Sequence, residues 1–122
     1  MKHYRVVISP KAVADIIAAY DWLHEENPLY AYRWRDGLQE AVMNLKTFPF
    51  AHAIAPESNA FDSEIRQLLY GRGTPWRVFY CVEEEQVSIL HVRHGRQDYW
   101  QTENQKKISE KPALSSETGH II

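Results

Sequence analysis

Residues 65–99 read IRQLLYGRGTPWRVFYCVEEEQVSILHVRHGRQDY. Residues 65–70 and 76–82 are rich in β-branched and aromatic side chains, which favour extended chain. Between them, Gly71-Arg72-Gly73-Thr74-Pro75 is a glycine-rich break whose proline would end any helix. The polar run Glu83-Glu84-Glu85-Gln86 then turns the chain into a further apolar strand over residues 87–92. Three consecutive strands are expected, the last two forming a hairpin. If the turn pairs Val82 with Val87, the period-two alternation puts Trp76, Val78, Tyr80, Val82, Val87 and Ile89 on one face, the natural core. The opposite face then carries Arg77, Phe79, Cys81, Ser88, Leu90, Val92 and His94, with Arg96 just beyond. An arginine and a histidine are thus expected together at one end of the hairpin.

Upstream, residues 4–8 alternate weakly and read as a first strand. Ser9 then suits an N-cap and Pro10 the first helical position, where a missing N–H costs nothing. Val13, Ile16, Ile17, Tyr20 and Leu23 form one apolar stripe at helical spacing. Glu25-Glu26-Asn27-Pro28 interrupts it, because a residue before proline is pushed out of the α region. Asn27 and Pro28 repeat the cap-and-proline punctuation, and Ala31, Trp34, Leu38, Ala41, Val42 and Leu45 give a second stripe. Two helices joined so tightly form an antiparallel hairpin. Residues 49–63 carry two prolines and no period, and read as a surface connection anchored by Phe50 and Phe61. The order predicts an α+β domain, with a helical hairpin covering one face of a mostly antiparallel sheet. It occupies residues 1–100, and the polar residues 101–122 are expected to be a flexible tail.

With 122 residues and 44% hydrophobic content, the chain is expected to build one core without disulfides. A formal charge of -2 excludes a general basic field, so any polyanion contact must come from a local patch. The single Cys81 lies in an apolar strand and is expected to be a buried, reduced thiol. Nothing approaches about 18 consecutive apolar residues, and the N-terminal apolar run is too short for a secretory signal, so no membrane association and a cytoplasmic location are expected.

The opening strand with Ser9-Pro10, the run Ile65-Arg66-Gln67-Leu68-Leu69-Tyr70-Gly71, the strand Trp76-Arg77-Val78-Phe79-Tyr80, the acidic turn and the closing Ile89-Leu90-His91-Val92-Arg93-His94-Gly95-Arg96 occur in a distinctive order. In that order and spacing the chain resembles the RelE/ParE toxins of bacterial type II toxin–antitoxin modules, often described as plasmid stabilisation proteins. The resemblance implies a compact, growth-inhibiting toxin neutralised by a cognate antitoxin that wraps around it. It also implies an operon repressed by the pair, with operator DNA reached only through the antitoxin. RelE-like members bind the ribosomal A site and cut mRNA, whereas ParE-like members poison DNA gyrase and cut nothing.

RNA cleavage on such a fold is metal-independent and needs no cofactor. It requires a deprotonated 2′-hydroxyl, a stabilised phosphorane and a protonated leaving oxygen. Arg77 and Arg96 correspond to family arginines that would clamp the phosphate. His94 would serve as acid or base and Tyr99 as a further candidate. No lysine matches the basic residues that RelE-type nucleases place ahead of their second strand, Lys46 being on a helix. That gap and the negative charge set a gyrase-type target ahead of the ribosome and mRNA. Arg66, Phe79, Leu90, Val92 and Trp100 are the expected binding residues, with Phe79, Leu90 and Val92 forming an apolar antitoxin groove. Arg77→Ala and Arg96→Ala are expected to relieve toxicity and leave the fold intact.

Blander roles compete for the same residues. Arg66 and Arg77 would pair with Glu64 or the Glu83–Glu85 turn, and surface pairs of this kind contribute only about 0–1 kcal/mol. His91 and His94, three apart on a strand, point to opposite faces and make no metal pair. Trp34 and Trp76 fall on core faces, while Trp100 does not. The alternative to a toxin is a non-toxic module that retains only its antitoxin contact.

Overall fold

A computed structural model describes residues 2–73 and 75–95, so Arg96, Tyr99, Trp100 and residues 101–122, with the expectations attached to them, lie outside the described residues. Strand β1 (Arg5–Ile8) leads into helices α1 (Pro10–Glu26) and α2 (Pro28–Met43). Strands β2 (Arg66–Tyr70), β3 (Trp76–Glu83) and β4 (Gln86–His94) follow. They form a four-stranded sheet in the order β1-β4-β3-β2. β2–β3 and β3–β4 are antiparallel, and β1 lies parallel to β4 from Arg5↔Gln86 to Ile8↔Ile89. Among the described residues no helix is long and apolar enough to cross a membrane.

The caps behave as their residue types dictate. Ser9 Oγ accepts the Ala12 N–H at 3.1 Å, with Pro10 opening α1. Asn27 both closes α1, donating its N–H to the Leu23 carbonyl, and opens α2, accepting the Tyr30 N–H at 3.1 Å. One residue thereby satisfies two helix ends and fixes the hairpin angle. The buried stripe of α1 runs through Ala12, Val13, Ile16, Ala19 and Leu23; Ile17, expected on it, is exposed at its margin. Trp34, Leu38 and Val42 of α2 complete the layer over Leu68, Val78, Tyr80, Val87 and Ile89.

Val82 pairs with Val87 as expected, and Glu84 closes the turn with a φ of 56°. The facing of β4 then departs from expectation. Phe79 pairs with His91 but Tyr80 with Ile89, so Leu90 is an extra residue, a β-bulge. Alternation restarts there. Leu90 and His91 both fall on the face away from the helices, and Val92 joins the helix-side core. His94 follows Val92 and packs on Trp76, with ring centroids 4.9 Å apart.

That second face is not open. The connection from α2 to β2 folds beneath it, through a 3₁₀ turn at Pro56–Ala60. Ala55, Ile65, Phe79 and Cys81 form a second small core, flanked by Phe61 and Leu90. Phe61 is the anchor expected of it, whereas Phe50 is exposed. Burial, reinforced by Glu83, pushes the Cys81 thiol up, so it stays protonated.

Gly37 in α2 has a packing reason to be there. A Cβ at this position would sit 2.2 Å from Tyr70 Oη, which donates to the Trp34 carbonyl at 2.9 Å. Gly37→Ala is expected to displace that hydroxyl and lose the hydrogen bond. In a Tyr70→Phe background the same change is expected to be milder by about 1 kcal/mol, one typical hydrogen bond. Urea unfolding of the four proteins in this cycle measures the coupling.

Candidate functional site

β3 carries Arg77 onto the second face, where sequence reasoning placed a phosphate clamp. Its Nη1 and Nη2 instead donate to Glu57 Oε2 and Oε1, both at 2.7 Å, the fork-to-fork geometry of a strong ion pair. Nε and Nη2 also donate to Gln67 Oε1 at 3.0 and 2.6 Å. The guanidinium lies 4.6 Å from the centroid of the Phe79 ring. Arg77 is 8% and Glu57 5% exposed, so this is a buried pair rather than a surface one. Neither Glu64 nor the acidic turn, the partners expected for Arg77, supplies the carboxylate.

His91 stacks on the other side of this cluster, its ring 6.0 Å from that of Phe79. Its Nδ1 meets the Asp15 carboxylate, which also accepts the Val92 N–H at 2.9 Å and the Lys11 ammonium at 2.7 Å. The reason is topological. β1 leaves β4 at Ile89, where the Ser9 N–H makes its bond to the Ile89 carbonyl. Beyond that point an α1 side chain, Asp15, takes the place of a neighbouring strand. Burial holds the His91 imidazole below its usual pKa against the opposing pull of Asp15, and Lys11 and Arg93 add to the lowering.

The other expected residues are dispersed. His94 is on the helix side, across the sheet from Arg77, so the two do not converge. It lines a groove of about 750 Å³ with Trp22, Tyr30, Arg72, Trp76 and Val92. Arg66 donates to the His52 carbonyl at 2.7 Å and to Glu64 at 3.1 Å, the latter being the expected partner. Phe79 is fully buried and Val92 lies on the helix side, so neither lines a groove with the half-buried Leu90 of the second face. Glu57 and Asp15 were missed in the sequence. Each is a lone carboxylate in an unremarkable setting, 20 and 76 residues from its partner.

Chemically, the second face presents a neutralised guanidinium and a buried imidazole, and the helix side presents an aromatic groove rimmed by a cation. The first resembles a structural cluster, the second a polypeptide-binding surface. The chain belongs to the family described as the ParE toxin of type II toxin–antitoxin system, parDE, whose model matches residues 6–99. Its fold is similar to that of a solved structure described as the chromosomal ParDE TA system from P. aeruginosa. The TM-score is 0.63 at 22% identity, covering 75% of this chain and 96% of that one. Among curated proteins none matches the sequence.

Arg77→Ala leaves Glu57 buried and unpaired, so the expectation that this change spares the fold is revised. It is expected to cost about 3–5 kcal/mol in urea unfolding, and the apolar double replacement Glu57→Leu with Arg77→Met clearly less. A second prediction concerns pH. The folded state binds a proton at His91 less readily than the unfolded chain, so stability is expected to fall as pH drops below about 6.5, the unfolded value. His52, also lowered by burial, contributes in the same direction. His91→Gln is expected to flatten only its own share of the slope in unfolding curves between pH 7.5 and 5.5.

Proposed function

We propose that this ParE-family chain is a growth-inhibiting toxin held inactive by a cognate antitoxin, acting on a gyrase-type target rather than cutting mRNA. The observation that carries the reading is the Arg77–Glu57 pair. A donor accelerates phosphoryl transfer only if it is free to meet charge as that charge develops. Arg77 already holds a carboxylate in the two-pronged geometry a phosphate would take, and releasing it would strand Glu57 in a dry site. His94 lies on the other face of the sheet and cannot share a substrate with it. The supported activity is therefore stoichiometric capture of a protein target, with no bond broken by the toxin.

The antitoxin surface expected at Phe79, Leu90 and Val92 moves to the helix side. There Trp22 and Tyr30, both about half exposed at 55% and 50%, wall the groove, and Arg72 stands at its rim. An amphipathic antitoxin helix with a carboxylate opposite Arg72 suits this arrangement.

The test is pulse-labelling within minutes of inducing this chain alone in bacterial cells. Thymidine incorporation is expected to fall first, with an SOS response, while amino-acid incorporation continues. Prompt loss of amino-acid incorporation with DNA synthesis intact would reverse the choice of target. Loss of neither would leave the non-toxic antitoxin-binding module as the better account.

A further inference from the structure

Between α2 and β2 the chain leaves the sheet edge and returns to it at one place. The Gln67 N–H donates to the Ala53 carbonyl at 3.0 Å, the Ala55 N–H to the Ile65 carbonyl at 2.8 Å, and Ile54 bridges Arg66. The ends of the loop therefore meet at its base while its body lies over the second face, the construction of an Ω-loop. Upstream of that base the chain is fixed independently. Tyr80 Oη donates to the Pro49 carbonyl at 2.7 Å, burial pushing that phenol up to about 12 so that it remains a donor. Arg66 holds the His52 carbonyl at 2.7 Å, and downstream the chain enters β2.

Among the described residues, the groups that hold the body of this loop down are mostly polar. From residue 54 to residue 64 only Ala55 and Glu57 are buried, with Phe61 half-buried and Ile54 49% exposed. Ser58 Oγ accepts the Ile65 N–H at 2.9 Å, and Glu57 takes both prongs of Arg77. A buried ion pair resists removal of one partner, because the other charge is then stranded. It resists separation far less when both charges reach water together. If the loop lifts, Glu57 leaves with it and Arg77 is uncovered, so each regains its hydration. One methyl group and part of one ring are a small apolar loss. The helix-side core, with Ile16, Trp34, Leu38, Val78 and Ile89, has no member on the loop.

We infer that residues 54–64 are a strap that opens as a unit about its two fixed ends while the four-stranded sheet and its helical layer stay folded, uncovering Phe79, Cys81 and Arg77 on the second face. Openings of low free energy fall where buried apolar contacts are few and the hydrogen bonds are ones that water can replace. In the open form the Arg77 guanidinium is released from Glu57. The inference stands apart from the toxin reading and does not need it.

The chain carries its own reporter, since Cys81 is its single cysteine, 8% exposed and clustered with Ala55 of the strap. The test is the rate at which excess dithiobis(nitrobenzoate) labels Cys81 in the full native chain at fixed pH, each attack of the thiolate on the reagent's disulfide releasing one thionitrobenzoate. Labelling is expected to run about a hundredfold or more faster than global unfolding allows, with a urea slope under about a third of the equilibrium m-value. Ser58→Ala is expected to speed it about fivefold, the loss of one typical hydrogen bond. Val42→Ala, in the helix-side core, is expected to raise the global unfolding constant about tenfold and to leave labelling within about twofold of the wild type. Labelling that rises with Val42→Ala in step with unfolding, or that shows the full m-value, overturns the inference, because the face is then bared only by unfolding. A rate that Ser58→Ala leaves unchanged also overturns it, because the thiol is then reached without the strap.

Discussion

Leu90 has no partner on β3, and the arrangement of both faces of the sheet depends on that extra residue. Without it, Val92 and His94 would share a face with Arg77, and the helix-side core would lose an apolar side chain at the end of the hairpin. With it, Val92 packs under α1 and His94 reaches the aromatic groove, while His91 turns to stack on Phe79. The bulge lies one residue past Ile89, where β1 stops pairing with β4, and Asp15 takes over the exposed ladder edge. A bulge is tolerated at such a place because the neighbouring strand no longer enforces the register.

The second face is closed by chain rather than by a second layer of helices. Phe48, Phe50 and Ile54 of this connection are left exposed, so few of its apolar side chains are buried, and polar groups reaching from the sheet help to hold it. The Arg77–Glu57 pair is central among them. A buried ion pair adds little net stability over a well-packed apolar one, but it accepts only one geometry, and here that geometry sets the path of the connection. The same pair keeps both prongs of the Arg77 guanidinium engaged with Glu57.

The aromatic groove on the helix side and a shallow hollow beside the N-terminal segment are separate surfaces of one small domain. The groove is bounded by Trp22 and Tyr30 of the helical hairpin and by Arg72, Trp76 and His94 around the sheet. The hollow is built from the N-terminal segment and the start of the connection.

Local signals in the sequence determined a good part of this. Ser9-Pro10 and Asn27-Pro28 announced both helices, because a capping side chain and a proline act on their immediate neighbours. Val82 and Val87 set the hairpin register, because the turn between them is short. The ordered set of strand motifs carried the family. The residues of the second face were not legible, since Glu57 and Arg77, or Asp15 and His91, meet only after the chain has folded, and nothing near either carboxylate marks its partner. Nor was the bulge, because a period-two pattern in Ile89-Leu90-His91-Val92 reads the same with or without one apolar residue left over. The alternation breaks where β1 ends in the assembled sheet, a place only the tertiary structure reveals.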